Sequence, residues 1–455
     1  MVPRPKDECG GAPRVSRRRF LTAAGATAAS SAAVGLSLKA KSAAASSAAS
    51  SEQAISPGFF ASQFYDAREK EALSDVVETG SPFRFWGPAE PKKVKAFEEE
   101  FAKYMGAKYA LAVTSGTAAL DCAVAGLEIG PGDEVIMPAY SWWSDYTCVV
   151  QAGALPVFGD IDRSLCLDPE DFARKITPRT KAVIAVHLLG GPCDMDPIME
   201  TARKKGIAVL EDAAQCVGGF SHGKKLGAIG DVGIYSFQLN KMISSGEGGA
   251  VVTDNPLIYE RAARFHDVGI LRNPFRERLG KSQVGEFGGE NFRMSEFTGA
   301  VLGAQLSKLD TMLAGLRRAA GAVLDGIRDL PGIRLRKQPD PKGDQGYGVY
   351  FELQNKEARN RGIAELNKRG IPAGTLSGSV ILPIERSVMN KQTRHPKWPS
   401  FTSPEGRAIQ YGPDCCRQTQ AIFDRFVQVR MGPKYTDSMI ARIVAAIREV
   451  YPAVS

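Results

Sequence analysis

The sequence predicts an α/β protein whose large domain is built on a mostly parallel sheet, followed by a smaller α+β domain. Two observations carry this. Between residues 109 and 253, short continuous apolar runs alternate with stretches of helix length, as strands buried on both faces of a parallel sheet require. Beyond Pro331-Gly332 the elements become sparser, and a Pro/Ser-rich stretch over 374–413 interrupts them. The 455 residues, 44% of them hydrophobic, suffice for a leader and two domains, expected at 1–50, 51–310 and 311–455.

The first 50 residues carry eight Lys or Arg against Asp7 and Glu8, so most of the formal charge of +8 belongs there and gives no argument for nucleic acid. Arg17-Arg18-Arg19-Phe20-Leu21 stands ahead of a mild Ala/Gly/Ser run and Ala43-Ala44-Ala45. That is a twin-arginine export signal, with cleavage expected near Ala45 and a periplasmic or secreted destination. The run is too poor in Leu, Ile and Val to span a membrane, and no later segment supplies a span. Without use of the leader, the chain stays in the cytoplasm. Eight cysteines without Cys-x-x-Cys spacing read as small core residues, and four unpaired histidines predict no metal site.

A helix is expected over 66–78, then a loop holding Phe83, Arg84, Phe85 and Trp86, which either lines a site or packs on a partner subunit. Val94, Phe97, Phe101 and Tyr104 follow helical spacing up to Gly106, a C-cap, and 109–113 is a strand. The Ser115-Gly116-Thr117 turn then opens an apolar helix. Free backbone N–H groups and the positive end of a helix dipole suit a phosphate there, while Ser115 alone is also an ordinary N-cap. Strands at 134–138, 155–158, 181–187 and 207–210 alternate with helices at 171–175 and 195–205. Ligands of such sheets lie beyond the carboxyl ends of the strands, where Trp142 and Asp212 fall. Trp142 offers a flat face for an aromatic ring or is a core residue; Asp212, at the end of a buried strand, needs a cationic or hydrogen-bonding partner. Lys241 follows in a glycine-rich loop between the apolar runs 232–237 and 250–253, with Ser236 five residues before it. That placement suits an amine forming a Schiff base beside a bound phosphate. A helix over 257–265, one long helix from Ser295 to about 330, strands at 348–353 and 427–431, and helices over 358–369 and 436–451 complete the chain.

Pyridoxal phosphate asks for an amine, phosphate donors, an acid for its pyridine nitrogen and a flat surface for its ring, which Lys241, Ser236 with Gly116 and Thr117, Asp212 and Trp142 supply. With Glu211-Asp212-Ala213-Ala214-Gln215, Gly246-Glu247-Gly248-Gly249 and Asn291-Phe292-Arg293-Met294-Ser295 added, the chain from about 60 to 310 resembles the DegT/DnrJ/EryC1/StrS sugar aminotransferases. The resemblance implies the type I, aspartate-aminotransferase-like fold. It implies that Lys241 forms the Schiff base, Asp212 pairs with the pyridine nitrogen, Gln215 lies near the phenolic oxygen and Trp142 stacks on the ring. Gly116, Thr117 and Ser236 would hold the phosphate, with Asn291 reaching it from the neighbouring subunit of a homodimer. The activity implied is ping-pong transfer of an amino group from glutamate or glutamine to a keto sugar or keto cyclitol. An exported, non-catalytic binding or sensory protein on the same scaffold is the alternative.

Overall fold

A computed structural model describes residues 54–455, so the twin-arginine stretch, its cleavage site and Cys9 lie outside the described residues. Both parts expected from the sequence, 51–310 and 311–455, fall almost wholly within one unit, Gln53–Ser455. Its centre is a seven-stranded sheet in the order Tyr109–Val113, Gly249–Thr253, Val232–Ser236, Ala208–Asp212, Thr180–Val186, Glu134–Pro138, Leu155–Gly159. The pairings run parallel from Val232–Ser236 to Leu155–Gly159; Gly249–Thr253 alone runs against its neighbours. The strands are buried along nearly their whole length, which explains why they read as unbroken apolar runs rather than alternating ones.

Parallel direction puts the carboxyl ends of six strands along one edge, and the chain leaves that edge each time with chemistry-bearing residues. The strand Ala208–Asp212 runs two residues further than its apolar core suggested, so Asp212 is its last member, paired in register with Val186 and Ile234. Glu211, one residue earlier, points to the opposite face. It is fully buried and accepts hydrogen bonds from the backbone N–H groups of Gly227 (2.8 Å), Ile229 (2.7 Å) and Gly230 (2.6 Å), with His187 Nε2 at 2.9 Å. That saturated carboxylate ties the approach to the next strand onto this one.

A second sheet, ordered Arg334–Leu335, Gly348–Glu352, Phe426–Arg430, Ala373–Gly374, is wholly antiparallel. Helices Lys356–Lys368 and Asp437–Val454 pack beside it, giving the α+β character expected of the C-terminal part. The 374–413 stretch is not structureless. Val380–Ile381 pairs with Tyr140–Ser141, and short helical turns follow.

One expectation is corrected. The single long helix from Ser295 is two helices, Glu296–Leu306 and Leu309–Ile327. Ser295 caps the first as expected, accepting from the Thr298 backbone N–H. The chain breaks at Ser307-Lys308 because Lys308, buried, turns inward to donate to the Glu69 carboxylate at 2.6 and 2.7 Å and to the Phe64 carbonyl at 2.6 Å. An unpaired buried ammonium would cost several kcal/mol, so the ion pair decides the local geometry over helical continuity.

Candidate active site

A cavity of about 500 Å³ opens at the carboxyl edge of the large sheet, a volume suited to a cofactor-sized ligand. Gly116, Thr117, Trp142, Asp212, Gln215, Ser236 and Lys241 all border it. Asn291 does not; it is exposed on the edge of the chain, bridged to Asp267.

Part of the lining is built by the start of helix Gly116–Gly126. Ser115 caps it by accepting from the Ala118 N–H at 3.0 Å, which leaves the earlier N–H groups and the positive helix end turned to the cavity. Gly116 is required by contact: a Cβ there would lie 2.7 Å from Ser236 Cβ. Glycine is equally required at 249, where a Cβ would meet the Ser115 carbonyl oxygen at 2.2 Å. The Thr117 hydroxyl shares a 2.7 Å hydrogen bond with Ser144.

Asp212 accepts the Ala214 N–H at 2.7 Å and lines the same cavity. Burial raises its pKa, partly offset by that N–H, Lys241 and Asp145. Lys241 is held by its backbone N–H donating to Gln238 O at 2.9 Å, and burial of its amine lowers its pKa against the opposing pull of Asp212 and Asp145. A lysine whose pKa is lowered by desolvation is the form that carbonyl chemistry needs. Gln215 is pinned between the Leu189 N–H (3.0 Å) and the Gly378 carbonyl (3.2 Å). Trp142, just before helix Trp143–Gln151, is 51% exposed and faces the cavity, which excludes the core alternative.

The aromatic loop near residue 84 lines none of this. The Arg84 side chain is buried against Glu98 at 2.7 Å and the Ala112 carbonyl at 3.0 Å and lies over the Phe85 and Phe275 rings, a structural clamp. Sequence reasoning missed Asp145, Gln345, Tyr347 and Gly378. Asp145 carried a signal, a lone acid between Trp143 and Tyr146 at the start of a largely buried helix. The other three come from loops whose position depends on long-range packing, such as the Gln345 N–H on the Gly190 carbonyl at 2.8 Å. Six cysteines are buried, as expected, and among the described residues no cluster of His, Cys, Asp and Glu could hold a metal. No helix of the described residues is long and apolar enough to cross a membrane.

Amide and hydroxyl donors, a carboxylate and a desolvated amine gathered on one cavity define a site for a phosphorylated aldehyde cofactor; pyridoxal phosphate fits it. The chain belongs to the DegT/DnrJ/EryC1/StrS aminotransferase family, whose model matches residues 65–448, and it is a pyridoxal-phosphate-dependent transaminase. It is 31% identical over 366 residues to GDP-perosamine synthase of Vibrio cholerae, covering 76% of this chain and 95% of that protein. It is 36% identical over 289 residues to L-glutamine:2-deoxy-scyllo-inosose aminotransferase of Streptoalloteichus tenebrarius, covering 63% and 67% respectively. Among solved structures, 3-amino-5-hydroxybenzoic acid synthase superposes with a TM-score of 0.71 at 28% identity, covering 88% of this chain and all of that one.

Proposed function

We propose that this transaminase moves an amino group from glutamate or glutamine to a keto sugar or keto cyclitol, by a ping-pong sequence through Lys241. The observation that carries this is the convergence of Lys241 and Asp212 on one cavity with the Gly116 helix end. The relatives support the substrate class, since they include a perosamine synthase and an inosose aminotransferase. Bound pyridoxal phosphate supplies an electron sink that stabilises negative charge at the substrate carbon.

The chain's own groups do the rest. Gly116 and Thr117 N–H groups with the Thr117 and Ser236 hydroxyls would hold the phosphate, the Trp142 face would lie against the ring, and Gln215 would stand near the phenolic oxygen. Asp212, ionised in its working state, holds the proton on the ring nitrogen. The Lys241 amine would hold the cofactor's aldehyde and, when free, would accept and return a proton as general base and acid. Its lowered pKa favours the neutral base that this step needs.

The working protein is a homodimer in which Asn291 of one chain completes the phosphate site of the other. Asn291 lies beside exposed Val268 and Ile270, on a backbone tied by the Val268 N–H to the Glu290 carbonyl at 2.8 Å, and a partner docking there would cover apolar surface. The leader sends the folded chain through the twin-arginine translocase to the periplasm or beyond. Replacing Arg17 and Arg18 by lysine should retain it in the cytoplasm, and unchanged export would refute this route.

The function is tested by spectroscopy. Purified protein with pyridoxal phosphate should show a visible band that glutamate or glutamine bleaches and a keto sugar or keto cyclitol restores, while Lys241→Ala shows none. A band indifferent to every amino donor would overturn the proposed donors.

A further inference from the structure

Asp145 is a buried acid beside the site with no role in the chemistry above. It sits in the first turn of helix Trp143–Gln151, with no exposed surface. Its Oδ2 accepts the hydroxyl of Ser141, one turn earlier. Its Oδ1 is buried and meets no donor. The carboxyl that acts on it electrostatically is that of Asp212, itself buried at the sheet's carboxyl edge.

Two carboxylates cannot hydrogen-bond while both are ionised, and two buried like charges in contact repel strongly. One proton between them resolves both faults. The surroundings decide which acid keeps it. Asp212 has the Ala214 N–H and borders the cavity; Asp145 has neither. We propose that Asp145 is a positioning residue that keeps a proton on Oδ1 and donates it to Asp212, so the pair presents a single negative charge with a fixed carboxylate plane to the ring nitrogen.

This rests on Asp212 as the partner of the ring nitrogen. Burial, then the Asp212 charge, hold Asp145 well above the ordinary carboxyl range, the direction the hydrogen bond requires. The charged and titratable groups facing the pair are Lys241 from the glycine-rich loop, His187 from the neighbouring strand, Cys148 on the same helix and Cys216 beyond the end of the Asp212 strand. Lys241 attracts both acids and so cannot by itself choose between them. The arrangement couples the electron sink to a second acid: if Asp145 ionised, Asp212 would lose its donor and face a second negative charge.

Two measurements test this, with Asp145→Asn as the key variant, since the amide keeps the shape and an N–H donor but never ionises. Without cofactor, the wild type at neutral pH should show the infrared C=O stretch of a protonated carboxylic acid that Asp145→Asn lacks. Absence of that difference overturns the proposal, whatever the enzyme's activity. With cofactor, the pH at which the visible band titrates should move by less than about 0.3 units in Asp145→Asn, because no charge has been removed. A downward move of a unit or more would show that an anion had been removed and would overturn it too. Asp145→Ala, which loses the donor, should shift that titration and weaken pyridoxal phosphate binding about tenfold, the value of one hydrogen bond to a charged group. Asp145→Ser, read in the infrared alone, serves if the asparagine variant does not fold. A normal infrared result with no visible band in any protein would fault the cofactor roles and leave the shared proton standing.

Discussion

Replacing Gly116 by Ala tests the phosphate cradle by adding a single methyl group. Its Cβ would stand 2.7 Å from Ser236 Cβ, whereas carbon atoms pack at about 3.5–4.0 Å, so the helix start and the strand end must separate by about 1 Å. Overpacking of this kind costs about 1–3 kcal/mol, offset by about 1 kcal/mol for Gly→Ala inside a helix. The variant should therefore fold, with a small loss of stability at most. The effect falls on the ligand. Displacing the Ser236 hydroxyl and the first helix N–H sacrifices at least one hydrogen bond to the dianion, worth about 1.5–3 kcal/mol, or a roughly 10- to 150-fold rise in Kd for pyridoxal phosphate. The assay is an equilibrium titration of cofactor-free protein by visible absorbance, run in parallel with pyridoxal, which lacks the phosphate. Pyridoxal binding should change little. Adding Ser236→Gly, which removes the Cβ that the new methyl strikes, should recover part of the lost helix-end contacts, a coupling the double-mutant cycle would show. Equal loss for both ligands, or no loss for either, would refute the placement of the phosphate at this helix end.

Lys308→Met leaves the Glu69 carboxylate buried without its cation and should lower unfolding free energy by about 3–5 kcal/mol, measured by urea denaturation. Burial alone would raise the pKa of Glu69, but the hydrogen bonds from Lys308, the Asp66 N–H and Gln305 outweigh it and hold it below its ordinary value. A depressed carboxyl adds stability above its unfolded pKa that is lost as pH falls through the folded one. Wild-type stability should thus drop on acidification below about pH 4.5, and more steeply than that of Glu69→Gln; parallel curves would count against the linkage. Co-expressing Lys241→Ala with an inactive Asn291 variant should restore about a quarter of the wild-type activity, because half the dimers then hold one intact shared site. No restoration on mixing would remove Asn291 from the partner's site.

The large sheet was legible because its strands are buried on both faces and its ligand-bearing turns follow strand ends, a local signal. Ser115-Gly116-Thr117, Asp212 and Lys241 each stand beside such an end, so order along the chain translated into proximity in space. The break at Ser307-Lys308 was not legible. Leu302, Leu306, Leu309 and Leu313 keep helical spacing through it, and the interruption comes from Glu69, 239 residues away. Tyr347 and Gly378 were hidden for a related reason: their loops carry no periodicity, and only contact with distant strands brings them to the cavity. Arg84 resembled a site residue because an arginine among aromatics suits a ligand, yet its ion pair with Glu98 satisfies it internally.

The small pairing of Tyr140–Ser141 with Val380–Ile381, together with the Gln215 side chain on the Gly378 carbonyl, has a consequence for biosynthesis. Strands that form the floor of the cavity are translated early, but the wall that closes over Gln215 leaves the ribosome 163 residues after it. A nascent chain can pair its parallel strands before that wall exists, while the vitamin-derived ligand has only an open shelf to rest on. Full retention of the ligand is thereby tied to completion of the polypeptide, so a prematurely terminated product would release it.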